Sequence, residues 1–283
     1  MLTTLRLTEL IRNAEDADVA EFVNAMGDGA GPEVDNNIMQ KLASREELMH
    51  FVFPDEILQN PIHCLTRAIL APTNEQIDRC NNNILERFTR NSRCDLATDS
   101  ILECPDGDEN DVIAPVSLLD YVAKHPTIGI SPASLKVKVG GVYRIMINFS
   151  IDRGIVKCVR VFVTDIGTRL VSIRVLRPDQ EVVDNIPVGE DILLLVPRIT
   201  FTSNLRSRHT LVRRQFSLAP AYACTFNGCQ GLTCDKIGAD LTRPVFSHEL
   251  YTELSRIRKR EGGTVLQTHN TTTVRNVTYI ELL

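Results

Sequence analysis

Helical spacing dominates the pattern of apolar and polar residues at the start of the chain. Apolar residues recur every three or four positions over residues 7–25, which predicts an amphipathic helix that ends at the Gly- and Pro-containing segment 27–32. A second, shorter helix is expected over residues 46–53, because Pro54 prevents its continuation. The first part of the chain is therefore expected to be mainly helical.

The segment that follows has the pattern of a parallel α/β sheet. Residues 67–71 (RAILA) form a short apolar run, and Thr73 and Gln76 match the T-x-x-Q signature that begins a helix. Strand, tight turn and capped helix are the repeating unit of such sheets, and ligands bind in the loops after the carboxyl ends of the strands. Thr73 and Asn74 are therefore candidates for contacts with phosphate or nucleic acid, and the alternative for both is simple helix capping.

The middle of the chain changes from a polar to a strand-like pattern. Residues 89–133 are acidic, contain proline and show no sustained period, so most of them are expected to form a long surface loop. Four runs rich in β-branched residues follow, at 135–149, 155–167, 168–176 and 191–202. Short strands in close succession, separated by tight turns, favour a small antiparallel barrel inserted into the α/β domain.

The last part of the chain returns to the α/β pattern and holds most of the candidate chemistry. Residues 217–226 are apolar enough for a buried strand, and a glycine-bearing turn follows at 227–233. Ser247 is a good N-cap for a helix that begins at His248. On that helix Arg256 lies on the face opposite the apolar stripe. An outward arginine can stabilise a phosphate during phosphoryl transfer, and the alternative is a solvated or salt-bridged helix arginine.

Composition excludes several classes of protein. No run of 18 apolar residues is present, which excludes a transmembrane helix, and the charged N-terminal residues lack the apolar core of a signal peptide. The eight cysteines form no CxxC pair and are expected to be reduced and mostly buried. The sequence has no metal-ligand cluster and no phosphate-binding G-x-x-x-x-G-K-[ST] loop, so neither a metal site nor a self-contained hydrolase is predicted.

The net charge of −5 hides an asymmetry between the two halves of the chain. Residues 1–135 carry 10 Lys and Arg against 23 Asp and Glu, a net of −13, whereas residues 136–283 carry 21 against 13, a net of +8. A basic half focuses positive potential and is where a polyanion would bind. Composition alone does not decide between this interpretation and docking of the basic half on the acidic half.

Segments in the same order resemble motifs of the Pif1 family of ATP-dependent DNA helicases, including those carried by Helitron transposons. The first is RAILAPTNEQIDRCNNNIL, similar to A-I-L-x-P-T-N and its helix, and the second is SLKVKVGGVYRIMINFSIDRGIVKCVRVFV, which resembles L-x-L-K-V-G-x-P-V-M-L-L-R-N-x-x-x-x-x-G-L-x-N-G-T-R. The third is TFNGCQGLT, similar to T-I-N-K-S-Q-G-Q-T, and the fourth is FSHELYTELSRIRKREG, similar to F-S-H-G-Q-L-Y-V-A-L-S-R-V. The N-terminal MLTTLRL also resembles a family segment, L-T-T-N-M-R-L.

The resemblance implies an α/β fold: a RecA-like second motor domain of the P-loop NTPase type with an inserted small SH3-like β-barrel. Its implied boundaries are a helical lead-in from a missing first motor domain at 1–66, the RecA-like 2A domain at 67–134 and 203–283, and the SH3-like 2B insertion at 135–202. The implied function is that of the C-terminal motor half of a 5′–3′ DNA helicase, with ATP and Mg²⁺ as cofactors and single-stranded DNA as partner. Because the phosphate-binding loop belongs to the missing first motor domain, this chain is not expected to hydrolyse ATP alone.

The resemblance also assigns individual residues. Arg256 matches the arginine that reaches the γ-phosphate and is the catalytic candidate. Gln230, Gly231 and Arg6 match positions on the nucleotide side. The positions expected along the DNA channel or its supporting turns are Thr73, Asn74, Asn227, Thr233, Ser247 and His248. A strand-tracking, sequence-blind and salt-sensitive mode of DNA binding fits the basic half.

Departures from the family pattern leave more than one interpretation open. Gly228 stands where the family has lysine, the segment LTTLRL is one residue shorter, and the residues KCVR at 157–160 replace Asn-Gly-Thr-Arg. The leading hypothesis is a helicase half that supplies Arg256 in trans to a nucleotide held elsewhere. The alternative is a catalytically inactive DNA-binding remnant of a transposon-borne helicase, and a third hypothesis is a docking module that uses the acidic half.

The resemblance carries expectations about the setting as well. The family implies an intracellular, nuclear location, with a mitochondrial location as the alternative, and no association with a membrane. It also implies roles in DNA repair, DNA recombination and telomere maintenance.

Overall fold

The structure of the protein is a computed structural model that describes most of the chain. The described residues are 15–27, 33–35, 39–102, 115–124, 127, 129–152, 154–177, 181–183, 186–188, 193–205, 209–229, 232, 234–245, 252, 254–267 and 273–275. Helices α1 to α5 are Ala17–Gly27, Arg45–Val52, Asp55–Gln59, Asn74–Glu86 and Pro115–Lys124. Short 3₁₀ turns lie at Pro61–Cys64, Asn227–Cys229 and Arg260–Gly262.

The strands fall into two compact units of the chain. In chain order, β1 to β18 are Glu33–Asp35, Gln40–Leu42, Arg67–Ala71, Ser92–Leu96, Thr98–Leu102, Ser134–Lys138, Val142–Ile145, Arg160–Ile166, Leu170–Val175, Glu181–Val183, Ile186–Val188, Leu194–Asn204, Thr210–Phe216, Leu218–Pro220, Ala223–Thr225, Lys236–Asp240, Gly263–Leu266 and Thr273–Arg275. The first unit comprises Met1–Glu56, Thr66–Cys80 and Ala223–Leu283, and the second comprises Ile57–Leu65 and Asn81–Tyr222.

The first unit is built on a parallel sheet. Across its described residues, the strand order is β15-β3-β16-β17-β2, and every pairing in it is parallel. One face of the sheet packs against α1 through Val19, Val23 and Met26, which belong to the buried apolar cluster of this unit. The opposite face packs against α2, where a Cβ on Gly238 would lie 2.7 Å from Leu48 Cδ1, so glycine permits the close approach of this helix. The parallel α/β pattern predicted from the sequence is confirmed.

Local sequence signals account for the helices of this unit. Ser44 caps α2, since its hydroxyl accepts a hydrogen bond from the N–H of Glu47 at 3.1 Å. The predicted helix over 46–53 is therefore confirmed with a shift of one residue at each end. The predicted helix over 7–25 is observed in its second part as α1, and its first part lies outside the described residues.

The second unit is built on an antiparallel sheet. Among its described strands, seven pair in the order β14-β7-β8-β9-β12-β13-β5, and every pairing is antiparallel. The long strand β12 changes partners along its length, because residues 194–197 pair with β9 and residues 198–204 pair with β13. A small buried apolar cluster under α5 includes Val122, Phe201 and Leu211. The run of antiparallel strands predicted between 135 and 202 is confirmed.

Three expectations about the middle of the chain differ from the structure. The long loop expected over 89–133 is wrong, since β4, β5 and α5 lie within it. The second unit is larger than the predicted insertion 135–202, because β5 and β13 complete its sheet from outside that range. The single strand expected over 217–226 is two strands, β14 and β15, which belong to different sheets.

The turn before β8 shows what replaces the Asn-Gly pair of the resembling family. Cys158 has a φ of +72°, in the left-handed region that glycine adopts without penalty. The N–H of Val159 closes the turn on the carbonyl of Val156 at 3.2 Å, and the N–H of Lys157 donates to Asn148 Oδ1 at 2.8 Å. The turn is therefore closed with a cysteine in a strained conformation, at the position that matches glycine in the resembling motif.

Candidate functional site

The carboxyl edge of the parallel sheet gathers several of the predicted polar residues. Thr73 and Asn74 follow β3, and Asn227 follows the neighbouring strand β15. Since all strands of this sheet are parallel, their carboxyl ends lie at one edge. Thr73 caps α4, as its hydroxyl oxygen accepts from the N–H of Gln76 at 3.3 Å, so the capping function predicted for Thr73 is confirmed.

A buried polar network, which the sequence pattern did not indicate, lies at the same edge. Asp240, at the end of β16, is fully buried, and its Oδ2 accepts from Arg45 Nε at 2.8 Å. Its Oδ1 accepts from the N–H and the hydroxyl of Thr242 at 3.1 and 2.5 Å. Gln76 Nε2 donates to Thr242 Oγ1 at 3.2 Å, and Thr73 donates to Gln76 Oε1 at 2.7 Å. The network therefore connects the N-terminal ends of α2 and α4 to the central strand.

Satisfying the charge of Asp240 requires this network. A fully buried carboxylate without partners is costly, whereas Asp240 has a guanidinium and a threonine as donors. The hydrogen bond with Asp240 raises the pKa of Arg45, so the guanidinium stays charged. The arrangement fixes the polar groups at the carboxyl edge, which is where parallel α/β sheets bind ligands.

The turn after β15 is compact and its described part carries no cation. The 3₁₀ turn Asn227–Cys229 is closed by Gly228 N–H donating to Thr225 Oγ1 at 3.0 Å. Cys229 is buried in the apolar cluster of the first unit. A Cβ at Gly228 would lie 3.0 Å from Thr225 Oγ1, so a larger residue requires that hydroxyl to move. Of the predicted site residues on this turn, Asn227 is the one that the structure describes, and it is exposed.

Arg256 lies at the opposite edge of the parallel sheet. Its carbonyl accepts from the N–H of Cys234 at 3.3 Å, and Cys234 precedes the amino end of β16. Leu254 and Ile257 on either side are buried in the apolar cluster, and Arg256 itself is half-buried. The Nε of Arg256 donates to the carbonyl of Thr252 at 3.0 Å, which fixes the plane of the guanidinium. A rigid main chain thus carries this arginine.

A cluster of ion pairs joins the segment after Arg256 to α1. Arg260 donates to Asp16 through Nε at 3.2 Å and through Nη2 at 3.1 Å, and the Arg260 N–H adds a third bond of 3.1 Å. Arg260 also pairs with Asp18, and Lys259 pairs with Glu15 at 2.8 Å. The hydrogen bonds from Arg260 lower the pKa of Asp16 from its ordinary 3.8 to about 2. We call the contacts of Asp16 and Arg260 the α1 clamp.

We expect Asp16→Asn to lower the thermal midpoint at neutral pH by a few degrees, because Arg260 loses a charged acceptor. A carboxyl group with a lowered pKa contributes stability that is present above about pH 3.8 and is lost as the pH falls through about 2. The difference in thermal midpoint between Asp16→Asn and the unmodified chain should therefore become smaller below pH 4, when unfolding is measured over a series of pH values. Glu21→Gln, on the exposed face of α1, serves as control. A difference that stays constant down to pH 2.5 contradicts the assignment.

The fold of this chain is similar to that of solved structures, although no sequence comparison gives a match. Scans against protein-family models and against curated protein sequences both give no match. Among solved structures, Pif1 helicase from Candida albicans superimposes with a TM-score of 0.61 at 17% identity, over 94% of this chain and 57% of that one. Bacteroides Pif1 bound to ssDNA gives a TM-score of 0.57 at 17% identity, over 95% of this chain and 52% of that one.

The chain has a Pif1-like helicase fold. A further structure, Bacteroides Pif1 in complex with ADP-AlF3 and ssDNA, gives a TM-score of 0.53 at 18% identity and covers 95% of this chain. The chain spans little more than half the length of these proteins, between 52% and 57%. The mixed α/β architecture with a parallel sheet, which the sequence predicted, agrees with this fold.

The described part of the predicted site divides between the two edges of the sheet. Thr73, Asn74 and Asn227 lie at the carboxyl edge, and the main chain of Arg256 lies at the amino edge, about 16 Å away over the five residues of β16. The remaining predicted site residues lie outside the described residues: Arg6, Gln230, Gly231, Thr233, Ser247 and His248. Sequence reasoning missed Arg45, Asp240 and Thr242.

No metal site and no membrane span is found in the described portion of the chain. Within it, no group of three or more His, Cys, Asp and Glu side chains could hold a metal ion. No helix there is long and apolar enough to cross a bilayer. Five described cysteines are buried and two, Cys94 and Cys158, are exposed; no disulfide joins any of these seven described cysteines, and Cys104 lies outside the described residues. Burial raises the pKa of Cys80 to about 11, so its thiol is neutral at physiological pH.

Proposed function

We propose that the chain is the C-terminal motor half of an ATP-dependent 5′–3′ DNA helicase of the Pif1 type. In this proposal the first unit corresponds to the RecA-like 2A domain, and the antiparallel sheet of the second unit corresponds to the inserted SH3-like 2B domain. The observation that carries the proposal is the fold similarity to Pif1 helicases, which extends over 94% of this chain. The first motor domain, with its phosphate-binding loop, would lie outside this chain.

The two edges of the parallel sheet suit two different ligands. At the carboxyl edge Asn74 and Asn227 offer amide groups but no charge, which fits contacts with the backbone of a single strand, whereas the Thr73 hydroxyl is engaged in capping α4. Bacteroides Pif1 has been crystallised with ssDNA and with ADP-AlF3, so a protein with this fold binds both. We therefore assign nucleic-acid contacts to the carboxyl edge and nucleotide contact to Arg256.

The described residues fit one part of an ATP site. Hydrolysis of ATP would drive movement on DNA, and Mg²⁺ would accompany the nucleotide. Arg256 is suited to contact a phosphate, because a guanidinium matches phosphate geometry and its main chain is held by Cys234. Among the described residues no acidic cluster fits Mg²⁺. The metal and most of the nucleotide contacts are therefore assigned to the first motor domain.

A second candidate function is that of a catalytically inactive DNA-binding remnant of a transposon-borne helicase. The observation that favours it is Gly228, where the resembling motif has a lysine and where the compact turn leaves little room for a side chain. The two candidates make the same prediction for DNA binding and differ in ATP hydrolysis. Single-strand-stimulated ATPase activity of a protein that joins this chain to a first motor domain, lost on Arg256→Ala, would rule out the inactive remnant.

We expect the purified chain to bind a dye-labelled oligothymidine in a fluorescence-anisotropy titration. Binding should weaken as NaCl rises from 50 to 500 mM, because log K for single strands falls by about 0.7 per phosphate neutralised for each tenfold rise in salt. An oligothymidine of equal length with an uncharged methylphosphonate backbone is the control and should bind at least tenfold more weakly. Absence of binding at 50 mM NaCl contradicts both candidate functions.

A further inference from the structure

A cleft of about 460 Å³ lies in the second unit, where β12 changes partners. Residues up to Pro197 of β12 pair with β9, and from Arg198 onward they pair with β13. The cleft lies over this change of partner and has walls from the β8–β9 turn, β12 and β13. It is lined by Thr168, Arg169, Leu170, Pro197, Arg198 and Arg214. Three of these six residues are arginines and none is acidic. We call it the arginine cleft.

Two of the cleft arginines have no counter-charge in the described part of the second unit. Arg169 and Arg214 are both exposed, and no described carboxylate lies within ion-pair distance of either. The sheet register places Arg214 opposite Thr200 on one side and Thr98 on the other, so neither neighbouring strand neutralises it. Uncompensated cations in a concave surface concentrate positive potential there.

The third arginine is held rigidly in the wall of the cleft. Arg198 Nη2 donates to Asp95 Oδ1 at 2.8 Å, and its guanidinium lies 5.1 Å from the centre of the Phe216 ring. Arg93 shares the same carboxylate, with Nε 2.7 Å from Asp95 Oδ2, and it also donates to the carbonyl of Gly167 in the β8–β9 turn. One carboxylate therefore serves two arginines, so the wall keeps a net positive charge.

The same cleft offers apolar surface beside its cations. Leu170 is 38% exposed and Pro197 is exposed, and Leu195 on the same side of β12 is 56% exposed. Guanidinium groups pair with phosphates, and apolar surface can contact the face of an unstacked base. A duplex keeps its base faces stacked inside, whereas a single strand presents both groups together.

We propose that the arginine cleft binds the phosphodiester backbone of a single-stranded nucleic acid, with Arg169 and Arg214 as the phosphate contacts. The inference rests on the proposed function and assigns part of the strand's path to the second unit, whereas Thr73, Asn74 and Asn227 lie in the first. Arg93, Arg198 and Asp95 are positioning residues that hold the wall and the turn.

The test compares the intact chain with Arg169→Ala/Arg214→Ala in anisotropy titrations with oligothymidine between 0.1 and 1 M NaCl. Losing two phosphate contacts should reduce the salt slope by about 1.4. If affinities converge at 1 M, that slope difference amounts to about 25-fold weaker binding at 0.1 M. The matched control is Arg90→Ala/Lys157→Ala, which removes two exposed cations of the same unit outside the cleft and should change the slope by less than 0.3. Near-ultraviolet circular dichroism of all three proteins reports whether the fold is kept.

The outcomes separate this inference from the proposed function. If the intact chain binds oligothymidine and Arg169→Ala/Arg214→Ala binds with the same affinity and slope, the arginine cleft is not part of the DNA path. If the two double variants weaken binding equally, the effect is one of net charge and the inference is likewise wrong. If the cleft variant loses affinity for a duplex but keeps affinity for oligothymidine, the assignment to single strands is overturned. Failure of the intact chain to bind any strand overturns the proposed function itself.

Discussion

Arg213→Met is expected to destabilise the second unit by about 3–5 kcal/mol, because it leaves a carboxylate without its partner inside the protein. The Arg213 side chain is 1% exposed and that of Asp99 is 13% exposed. The guanidinium contacts the carboxylate through two parallel bonds, from Nε at 2.9 Å and from Nη2 at 2.7 Å. Such a loss is large, since whole domains are stable by only about 5–15 kcal/mol.

Arg213 also connects helix α5 to the antiparallel sheet. Its Nη2 donates to the carbonyl of Val122 at 3.1 Å, and its Nη1 donates to the carbonyl of Ser131 at 3.2 Å. Val122 lies in the last turn of α5, where carbonyl groups have no partner within the helix. Methionine fills a similar volume but offers no donor, so Arg213→Met leaves these acceptors and Asp99 unsatisfied.

Urea unfolding followed by far-ultraviolet circular dichroism measures this effect. An exposed pair in the same chain provides the control: Arg79 and Glu75 are 3.1 Å apart and 49% and 69% exposed, so Arg79→Met should cost less than about 0.5 kcal/mol. The double variant Arg213→Met/Asp99→Leu should be more stable than Arg213→Met alone, because no buried charge remains unpaired. A loss below 1 kcal/mol for Arg213→Met contradicts the argument.

Local signals in the sequence were sufficient to predict the parallel sheet and its helices. The apolar run of β3 and the Thr73 cap of α4 lie within ten residues, and they specify the unit of strand and helix without distant partners. The same holds for α2, because the cap Ser44 accepts a hydrogen bond from the N–H of Glu47, only three residues later. The β-branched runs after residue 134 likewise specify strands by composition.

Distant pairing explains the part of the fold that the sequence did not reveal. Strand β5 lies in the polar region expected to be a loop, and its partner β13 follows more than a hundred residues later in the chain. The carboxylate of Asp99 is not a loop charge but the partner of Arg213, 114 residues away. An acidic strand that is stabilised by a remote arginine gives no local signal, so periodicity alone cannot identify it.

The candidate site shows the same division between local and distant information. Motif resemblance selected Thr73, Asn74, Asn227 and Arg256, each from the residues beside it. Asp240 was missed because its partner Arg45 is 195 residues away, and no spacing rule connects them. A buried Asp at the end of an apolar strand such as KIGAD was the available signal, since a charge there requires a partner. The separation of the predicted residues onto two edges of the sheet could be found only from the strand order.

In a protein that joins this chain to a first motor domain, Arg256→Ala is expected to lower kcat for ATP hydrolysis about 10³-fold or more. The reason is geometric as well as electrostatic. Cys234 holds the main chain of Arg256, and the neighbouring Leu254 and Ile257 are buried. Little conformational entropy is therefore lost when the guanidinium contacts the phosphate. An arginine on a free loop would have to be ordered in each cycle and would contribute less.

The α1 clamp makes the position of Arg256 dependent on α1. Arg260 is four residues beyond Arg256 and is held by Asp16, so the segment from Arg256 to Arg260 is held at one end by Cys234 and at the other by Asp16. Asp16→Asn should therefore affect the ATPase rate much less than Arg256→Ala, since it loosens one end and removes no phosphate contact. This ordering of effects distinguishes direct contact from positioning.

The decisive comparison is between Arg256→Ala, Arg256→Lys and Arg258→Ala, measured by steady-state ATP hydrolysis with saturating oligothymidine. Lysine retains the charge but lacks the planar fork, so Arg256→Lys should recover only a small part of the lost rate. Arg258 is 51% exposed and lies 3.6 Å from Asp235, and Arg258→Ala should keep the rate within about twofold because a surface pair contributes little. All three variants should keep the oligothymidine affinity of the parent. An Arg256→Ala rate within threefold of the parent would mean that this arginine does not contact the nucleotide.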